Sequence, residues 1–380
     1  MIYSEPFDFT HGKRSRTKRI GIDARLYYQT GVGTYLRNLL HSLQKIAPDN
    51  LEFYIYFLQH DSAKIEFNRK TFVKRSVTSR WHTFGEQTRF LYETYKDNLD
   101  LMHFTYFSYP VLYRRKFMST IHDTTPVFFK TGKASTKNPF AYEIKHKVFK
   151  AVLKAQIKNA LKIITPTKTV KKQLTTLYGQ TYGEKIIPIY EGVDRSLQKA
   201  EANISLSKIF KQQYFLYVGN FYPHKNVEIL IRAFRKIINK HKLILVGPND
   251  YFAKRLFQLI HESHQDNRIL FYHNATFEDL KFLYSHAEAL IHPSLSEGFG
   301  LPLLEASYCN CPVIGSNIEV FKELLSEEYL SFDPRSEEDL INKIQQFLTK
   351  KMAFDYKHIL SKYSFAEMTK KTLDVYASCL

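Results

Sequence analysis

The segment Pro293-Ser-Leu-Ser-Glu-Gly-Phe-Gly-Leu-Pro-Leu-Leu-Glu305 places two carboxylates, Glu297 and Glu305, around a glycine-containing turn. The residues before it, Glu288-Ala-Leu-Ile-His292, predict the end of one element and then a short buried strand. Pro302 suits the first position of a following helix, where its missing N–H needs no partner. Glycine lets a ligand approach the backbone, and the free N–H groups at a helix start attract anions such as diphosphate. The segment therefore predicts a sugar-nucleotide site, with one carboxylate on each side for sugar hydroxyls.

A second motif, Tyr217-Val-Gly-Asn-Phe-Tyr-Pro-His-Lys-Asn-Val227, predicts a strand that ends at Gly219 and a helix that starts near Asn226. Lys225 then lies in the turn from strand to helix. A lysine there is a point charge well placed to meet a diphosphate. A solvated loop lysine is the alternative interpretation.

Two further motifs carry weaker signals. His122 and Asp123 follow an apolar strand in Ser119-Thr-Ile-His-Asp-Thr-Thr-Pro126, although a lone histidine at a strand end is often structural. Gln29-Thr-Gly-Val-Gly-Thr-Tyr35 follows a strand that ends in Asp23. Its Gly-x-Gly pattern opens a helix, and it is equally compatible with a tight turn that binds nothing.

Apolar runs alternate with helical periodicity along the chain, which predicts parallel sheets with crossover helices. Two such cycles predict two tandem Rossmann-like, doubly wound domains of the α/β class, each binding ligand at the carboxyl ends of its strands. We place the domains at residues 1–200 and 201–363, followed by a C-terminal helix over 364–380. That helix begins with the capping-box pattern Ser364-Phe-Ala-Glu367. The predicted strands are Lys18–Asp23, Leu51–Leu58, Leu101–Phe104, Met118–Ile121, Lys162–Thr165, Tyr214–Gly219, Leu243–Gly247, Ile269–Tyr272, Ala289–His292 and Pro312–Gly315, and two of the predicted helices are Val32–Ile46 and Tyr142–Leu161.

Composition limits the classes of function. The 380 residues carry a formal charge of +18, yet no motif resembles a nucleic-acid module, so no nucleic-acid partner is predicted. No apolar run is long enough for a transmembrane helix, and the basic N-terminus lacks the apolar region of a secretory signal. Three cysteines form no disulfide framework or metal site. These features predict a cytoplasmic protein, and the charge favours an anionic membrane surface or a lipid-linked acceptor. Lysines at 150, 154, 158 and 162 would share one helix face, which suits either a membrane surface or plain solvation.

The run Glu-Gly-Phe-Gly-Leu-Pro-x-x-Glu-Ala, with Cys311-Pro-Val-Ile after it, resembles the signature of retaining glycosyltransferases of family 4. The resemblance implies the GT-B fold, with the final helix crossing back to the first domain. It also implies that Glu297 contacts the transferred sugar, Glu305 the ribose diol and Lys225 the phosphates, with Glu297, Lys225 and His122 as the catalytic set. Implied donor-binding residues are Asn220, His224, Lys225, Asn274, Glu297, Gly298, Phe299, Gly300, Leu301 and Glu305. Implied acceptor or loop residues are Gly31, Val32, Gly33, Asp123 and Tyr106, with Glu86-Gln87 near them.

The sequence departs from the family pattern at four places. Asn310 replaces a glycine after the helix, where we expect a positive φ that asparagine tolerates. Asn220 and His224 stand where the family often has arginine or other residues. His273-Asn274 stands where the family commonly has a Gly-Tyr or Gly-Val pair, which leaves recognition of the base open.

The resemblance implies transfer of a hexose from a nucleotide-diphosphate sugar, with mannose from GDP-mannose favoured, to a glycan or lipid-linked acceptor in surface-polysaccharide synthesis. The sequence has no Asp-x-Asp motif, so neither a metal nor another cofactor is predicted. Three alternatives stay open: a UDP-sugar-dependent glucosyl or N-acetylglucosaminyl transferase, an epimerase of the same fold, and a non-catalytic basic protein that binds membrane or polymer.

Overall fold

The computed structural model describes residues 16–129, 139–237, 240–262, 266–350, 352 and 354–380. The chain divides into two compact units. Unit 1 comprises the described parts of Met1–Thr124, Asn138–Glu191 and Ser364–Leu380, and unit 2 those of Thr125–Lys137 and Gly192–Tyr363. The chain thus leaves unit 1 after Glu191, whereas the sequence placed the division after residue 200. The final helix belongs to unit 1.

Unit 1 is built on a parallel sheet in the order β3-β2-β1-β4-β5-β6-β7. Its central strands are buried, as expected when helices cover both faces of a parallel sheet. The strands are β1 (Lys18–Asp23), β2 (Leu51–Leu58), β3 (Phe72–Val77), β4 (Leu101–Phe104), β5 (Phe117–Thr120), β6 (Ile163–Thr165) and β7 (Ile186–Pro188).

Unit 2 has a second parallel sheet in the order β10-β9-β8-β11-β12-β13. Its core combines the inner strands with the apolar face of the helix after β8 and with later helices. The strands are β8 (Tyr214–Val218), β9 (Lys242–Val246), β10 (Ile269–Tyr272), β11 (Ala289–His292), β12 (Val313–Ser316) and β13 (Leu330–Phe332).

Helices alternate with the strands in both units, and short 3₁₀ turns and one π-helical turn, Glu86–Phe90, add to them. The α-helices are α1 (Val32–Ile46), α2 (Gln59–Ser62), α3 (Leu91–Lys96), α4 (Thr125–Phe128), α5 (Pro139–Asn159), α6 (Lys168–Tyr178), α7 (Arg195–Lys199), α8 (Val227–Lys236), α9 (Tyr251–Glu262), α10 (Phe277–His286), α11 (Leu301–Tyr308), α12 (Glu319–Leu325), α13 (Glu337–Lys350), α14 (Lys357–Leu360) and α15 (Phe365–Cys379).

All ten predicted strands are present, several with the predicted ends, and the two-sheet α/β prediction is confirmed. Strands β3, β7 and β13 were not predicted, because they are polar or very short. Three local predictions need correction. Pro302 is the second residue of its helix, since α11 begins at Leu301. Lys162 lies beyond the end of α5 and does not continue its lysine face.

The third correction concerns the helix cap of α15. Ser364 is the N-cap residue and accepts a hydrogen bond from the Ala366 amide. The Glu367 carboxylate, however, accepts from the Lys370 ammonium at 2.6 Å. A full capping box occurs instead at the start of α10, between Thr276 and Asp279.

Helix α15 is anchored to the unit 1 sheet by a buried polar chain. The Tyr376 hydroxyl lies 2.8 Å from His103 Nδ1 on β4, and His103 Nε2 lies 2.8 Å from the Thr120 hydroxyl on β5. Thr120 in turn contacts the Tyr35 hydroxyl on α1 at 3.2 Å. This row of hydrogen bonds connects α15, the last helix, to β4, β5 and α1.

We expect Tyr376→Phe to lower the free energy of unfolding by roughly 1–3 kcal/mol, because it leaves His103 Nδ1 buried without a partner. The matched control is Tyr92→Phe, whose ring is 68% exposed and should tolerate the same change. Chemical denaturation of the two variants checks the prediction. Equal stabilities would mean that the hydroxyl does not anchor α15.

Candidate functional site

The unit 2 sheet has a topological switch point between β8 and β11. Strands β9 and β10 continue from β8 on one side, and β12 and β13 continue from β11 on the other. In open α/β sheets of this kind, ligands bind beyond the carboxyl ends of the strands at the switch point. The loops that follow β8 and β11 are the two motifs that the sequence analysis selected.

Two local features set the backbone path of the loop after β8. Gly219 has a φ of +153°, and the Tyr217 hydroxyl donates to the Asn220 carbonyl at 2.5 Å. A 3₁₀ turn, Pro223–Lys225, follows and ends at Asn226 in the left-handed conformation. The Asn226 side chain donates to the Pro334 carbonyl at 2.8 Å. These contacts fix the backbone that carries Lys225 immediately before α8.

Lys225 and Glu297 form an ion pair across the switch point. The Lys225 ammonium lies 2.6 Å from Glu297 Oε1, and the exposed fractions of the two side chains are 14% and 10%. The same oxygen also accepts from the Ser294 hydroxyl at 2.8 Å and faces His292 Nε2 at 3.0 Å. Glu297 Oε1 therefore has three donors, whereas Oε2 has no partner among the residues that the structure describes.

The electrostatics of Glu297 follow from these donors. Burial alone would raise its pKa, but the Lys225 charge and the hydrogen bond from His292 outweigh burial and hold the pKa well below the usual value of a glutamate. Glu297 is thus a carboxylate at all working pH values. An ammonium has three donors, and the contact with Glu297 uses one, so Lys225 keeps donors for an anionic ligand.

Glu305 lies in α11, beyond Gly300, which caps the helix in a left-handed conformation with φ of +100°. Its Oε2 accepts from the Tyr284 hydroxyl at 2.9 Å. Burial raises the pKa of Glu305 to about 7, and the nearby Asp194 adds to the increase. Unlike Glu297, this carboxyl has no cation beside it in the described part of the chain, so it changes charge near neutral pH.

The other predicted donor residues differ in what their side chains do. Phe299 is buried and packs edge-on against Tyr363, with ring centroids 5.9 Å apart. Asn220 accepts from the Tyr222 amide, and Asn274 is exposed beyond β10 with φ of +57°. Gly298, Gly300 and Leu301 form the backbone that leads from Glu297 into α11.

His224 is buried beside Lys225, and its Nδ1 has no partner in the described residues. Burial, with the Lys225 charge adding to it, lowers the pKa of His224 to about 4. Where the resembled family often carries a permanent cation, this chain holds a neutral imidazole.

The predicted residues of unit 1 lie at the carboxyl ends of β1, β4 and β5. His122 Nε2 lies 3.0 Å from the Thr105 carbonyl, and its Nδ1 lies 3.3 Å from Glu191, so both ring nitrogens have partners within the unit. Gly31 has φ of +61° and precedes Val32 at the start of α1. At Gly33 a Cβ atom would lie 2.6 Å from the Tyr27 carbonyl, which requires a glycine there. Tyr106 and Asp123 are half-buried.

Glu86 and Gln87 serve the interior of unit 1. The two Glu86 oxygens accept from Arg25 and Ser108, each at 2.6 Å. Gln87 donates to the Tyr109 carbonyl and accepts from the Val111 amide. Their side chains therefore hold the unit together and are not available to an acceptor in this arrangement.

The structure adds residues to the site that the sequence analysis did not select. His292 and Ser294 contact Glu297, and Tyr284 contacts Glu305. His292 had a usable sequence signal, because it ends an apolar strand just before the Pro293-Ser294 pair. Tyr284 had none, because a tyrosine within a helical pattern resembles any core residue.

Two family models divide the chain between them. Residues 29–197 match Glycosyltransferase Family 4, and residues 199–366 match Glycosyl transferases group 1. The O-antigen chain mannosyltransferase RfbU of Salmonella typhimurium is 33% identical over 263 residues, which are 67% of this chain and 71% of that relative. The chain belongs to glycosyltransferase family 4. As a member of this family, it is a glycosyltransferase enzyme.

Solved structures show that the fold of this family 4 member is GT-B. Sucrose-phosphate synthase from Thermosynechococcus elongatus is similar with a TM-score of 0.77 at 18% identity, covering 95% of this chain and 98% of that chain. HepE from Anabaena, solved with UDP and glucose, has a TM-score of 0.72 at 16% identity and covers 95% of this chain and 100% of that chain.

The raised pKa of Glu305 predicts a pH-dependent affinity for sugar nucleotides. Ligand hydroxyls favour the ionised carboxylate, so below pH 7 binding must release a proton and weakens, by up to about tenfold per pH unit. Above pH 7 the affinity should level off. Calorimetric titration with a sugar nucleotide, whose diphosphate has no titrating terminal group, measures this dependence.

The Glu305→Gln variant should bind more weakly at pH 8 and lose the pH dependence, whereas Glu278→Gln, at an exposed position, should keep it. The folded-state pKa of Glu305 lies above that of the unfolded chain, so the free energy of unfolding falls as pH rises from the ordinary glutamate pKa through about 7 and levels off above it. A pH dependence that survives in Glu305→Gln would assign the titration to another group.

Proposed function

We propose that this enzyme is a retaining glycosyltransferase that moves a hexose, mannose from GDP-mannose, to a glycan or lipid-linked acceptor in cell-surface polysaccharide synthesis. The observation that carries the proposal is the geometry of Glu297. Three donors hold its Oε1 at the switch point, and Oε2 remains for a ligand hydroxyl. Relatives named as O-antigen mannosyltransferases support mannose as the sugar.

The proposed roles follow from charge and position. The diphosphate lies against Lys225 and the backbone N–H groups at the start of α11, where the helix dipole is positive. Glu305 accepts the ribose hydroxyls, and Glu297 Oε2 accepts a hydroxyl of the transferred sugar. Phe299 contributes through packing, while Gly298 and Gly300 let the phosphates approach the backbone.

The reaction breaks the bond between the anomeric carbon and the diphosphate oxygen and forms a bond from that carbon to the acceptor oxygen. Negative charge grows on the leaving diphosphate, so the Lys225 ammonium stabilises the transition state more than the bound donor. In a retaining reaction with attack from the same face, the leaving phosphate takes the acceptor proton. No protein nucleophile and no metal enter this scheme.

A UDP-sugar is the second candidate donor, because the structurally similar HepE was solved with UDP and glucose. Glu305 would bind the ribose of either nucleotide, so this carboxylate does not select the base. The two candidates differ in the nucleotide of the donor and in the sugar that it carries.

A thermal-shift screen of the full chain against GDP-mannose, UDP-glucose and ADP-glucose tests the donor. We expect the melting temperature to rise most with GDP-mannose, since a ligand at 100 times its Kd adds about 2.7 kcal/mol of stability. The control variant Glu319→Gln removes a charge at a well-exposed position outside the site, and its melting temperature should respond to the ligands as the wild type does. A larger shift with UDP-glucose would replace the donor, and no shift with any sugar nucleotide would overturn the donor site itself.

We further propose that helix α5 binds the anionic surface of the membrane that carries the acceptor. Ile144 and Val148 are 49% and 57% exposed, although they are apolar and lie one turn apart. Exposed lysines at 147, 154 and 158 lie beside them on the outward part of the helix, while Leu153 and Ile157 are buried. Exposed apolar side chains next to a lysine row are typical of helices that lie in a membrane interface. No helix within the described residues is long and apolar enough to span a bilayer.

Sedimentation with vesicles tests this surface. The chain should pellet with vesicles that contain anionic lipid and remain in solution with purely zwitterionic ones. At roughly 1 kcal/mol for each basic residue near the surface, the triple change Lys147→Glu, Lys154→Glu, Lys158→Glu should abolish pelleting. The control Lys172→Glu, Lys208→Glu, Lys211→Glu alters net charge equally at exposed positions elsewhere. Equal loss in both variants would show a general charge effect and no role for α5.

A further inference from the structure

We propose that His292 is a positioning residue that fixes the Glu297 carboxylate and leaves one oxygen, Oε2, to receive the transferred sugar. The inference rests on the proposed function and adds a residue to it. His292 acts through Glu297 and contacts no substrate itself.

Within the described residues, the His292 ring makes a single hydrogen bond. It is fully buried at the end of β11, and its Nε2 lies 3.0 Å from Glu297 Oε1. Its Nδ1 is buried and has no partner among the described residues. Because an ionised carboxylate can only accept, Nε2 must carry the proton, and the Glu297 contact therefore selects the tautomer.

Neighbouring rings prevent the imidazole from turning away. Tyr217 on β8 stacks on it with centroids 5.5 Å apart and planes 11° apart, and Phe321 on α12 packs against it with centroids 5.6 Å apart and planes tilted by 48°. The His292 carbonyl accepts from the Ser316 hydroxyl at 3.3 Å. Burial lowers the pKa of His292, so the ring stays neutral and remains a single-proton donor. The Nε2–H donor of His292 is thus held in place by β8, β12 and α12 of unit 2.

This arrangement has a cost that packing does not explain. A buried polar atom without a partner destabilises a fold, whereas an apolar side chain would fill the same space without that cost. The preceding residues of β11, Ala289-Leu-Ile291, are apolar and buried. The feature that requires a histidine at this position is the contact with Glu297.

The three donors to Glu297 Oε1 differ in rigidity. Lys225 donates from a long, flexible side chain in the loop after β8, and in the proposed function it also binds the phosphates. Ser294 lies in the loop after β11. His292 alone donates from a strand, with a ring that Tyr217 stacks on and Phe321 packs against. Without it, the carboxylate keeps its charge partner but is freer to rotate, and the position of Oε2 is lost. A misplaced contact to the reacting sugar lowers the rate more than it weakens binding of the nucleotide.

Three variants of the full chain separate these effects. His292→Phe keeps the ring and its stacking and removes the donor. His292→Gln places an amide N–H near the former Nε2 position, and His292→Asn places one near the Nδ1 position, out of reach of Glu297. For each variant, kcat and KM for the sugar nucleotide, Kd for the nucleoside diphosphate alone and Tm are measured.

We expect His292→Phe and His292→Asn to lower kcat about tenfold or more, the equivalent of ~1.4 kcal/mol in the barrier. Their affinity for the nucleoside diphosphate should stay within about twofold of wild type, and His292→Gln should recover most of kcat. If His292→Phe does not fold, the comparison of Gln with Asn still decides.

Equal kcat in wild type and His292→Phe, or in the Gln and Asn variants, would overturn the positioning role while leaving the proposed function intact. Parallel losses of Tm, nucleoside diphosphate affinity and kcat in all three variants would show a purely structural residue. A wild-type protein that neither binds nor turns over any sugar nucleotide would overturn the proposed function, and this inference with it.

Discussion

The site depends on a largely buried ion pair between Lys225 and Glu297. Removing two charges from water costs several kcal/mol for each ion, and attraction between them offsets this only when further hydrogen bonds satisfy the remaining donors and acceptors. Ser294 and His292 supply those bonds on the Glu297 side. The pair joins the two loops of the switch point, so the backbone on both sides must be built to hold it.

The local structure around the pair is consistent with that requirement. Asn226 adopts a left-handed conformation that ends the 3₁₀ turn immediately after Lys225, and Gly300 adopts one immediately before α11. At Gly247, directly after β9, a Cβ atom would lie 2.3 Å from the Gly219 carbonyl, so a glycine is needed for the loop to pack there. The two carboxylates then differ by environment: Glu297 beside a cation stays charged, while the pKa of Glu305 beside a neutral tyrosine rises to about 7. The loop after β11 thus holds a carboxylate that stays ionised, and α11 holds one that titrates near neutral pH.

Much of this could be predicted from the sequence because the signals are local. The apolar runs of β2, β4, β10 and β11 gave the strand ends as observed, and Asn310 has the positive φ that its position after a helix predicted, at +55°. Strand β3 was missed because Lys74, Arg75 and Ser76 interrupt its apolar pattern at the sheet edge. The partners of Glu86 were also out of reach: Arg25 lies 61 positions away and meets it only in the folded chain. Tyr284 belongs to the same class, because a tyrosine within a helical apolar pattern shows its role only through its contact with Glu305.

The most direct measurement of the central claim is a double-mutant cycle between Lys225→Ala and Glu297→Gln, with kcat/KM for the sugar nucleotide as the readout. If the ion pair acts as a unit, either change removes the arrangement. The kcat/KM of the double variant should then be little lower than that of the less active single variant. Losses that simply add would contradict the account, because they would mean that Lys225 and Glu297 contribute independently.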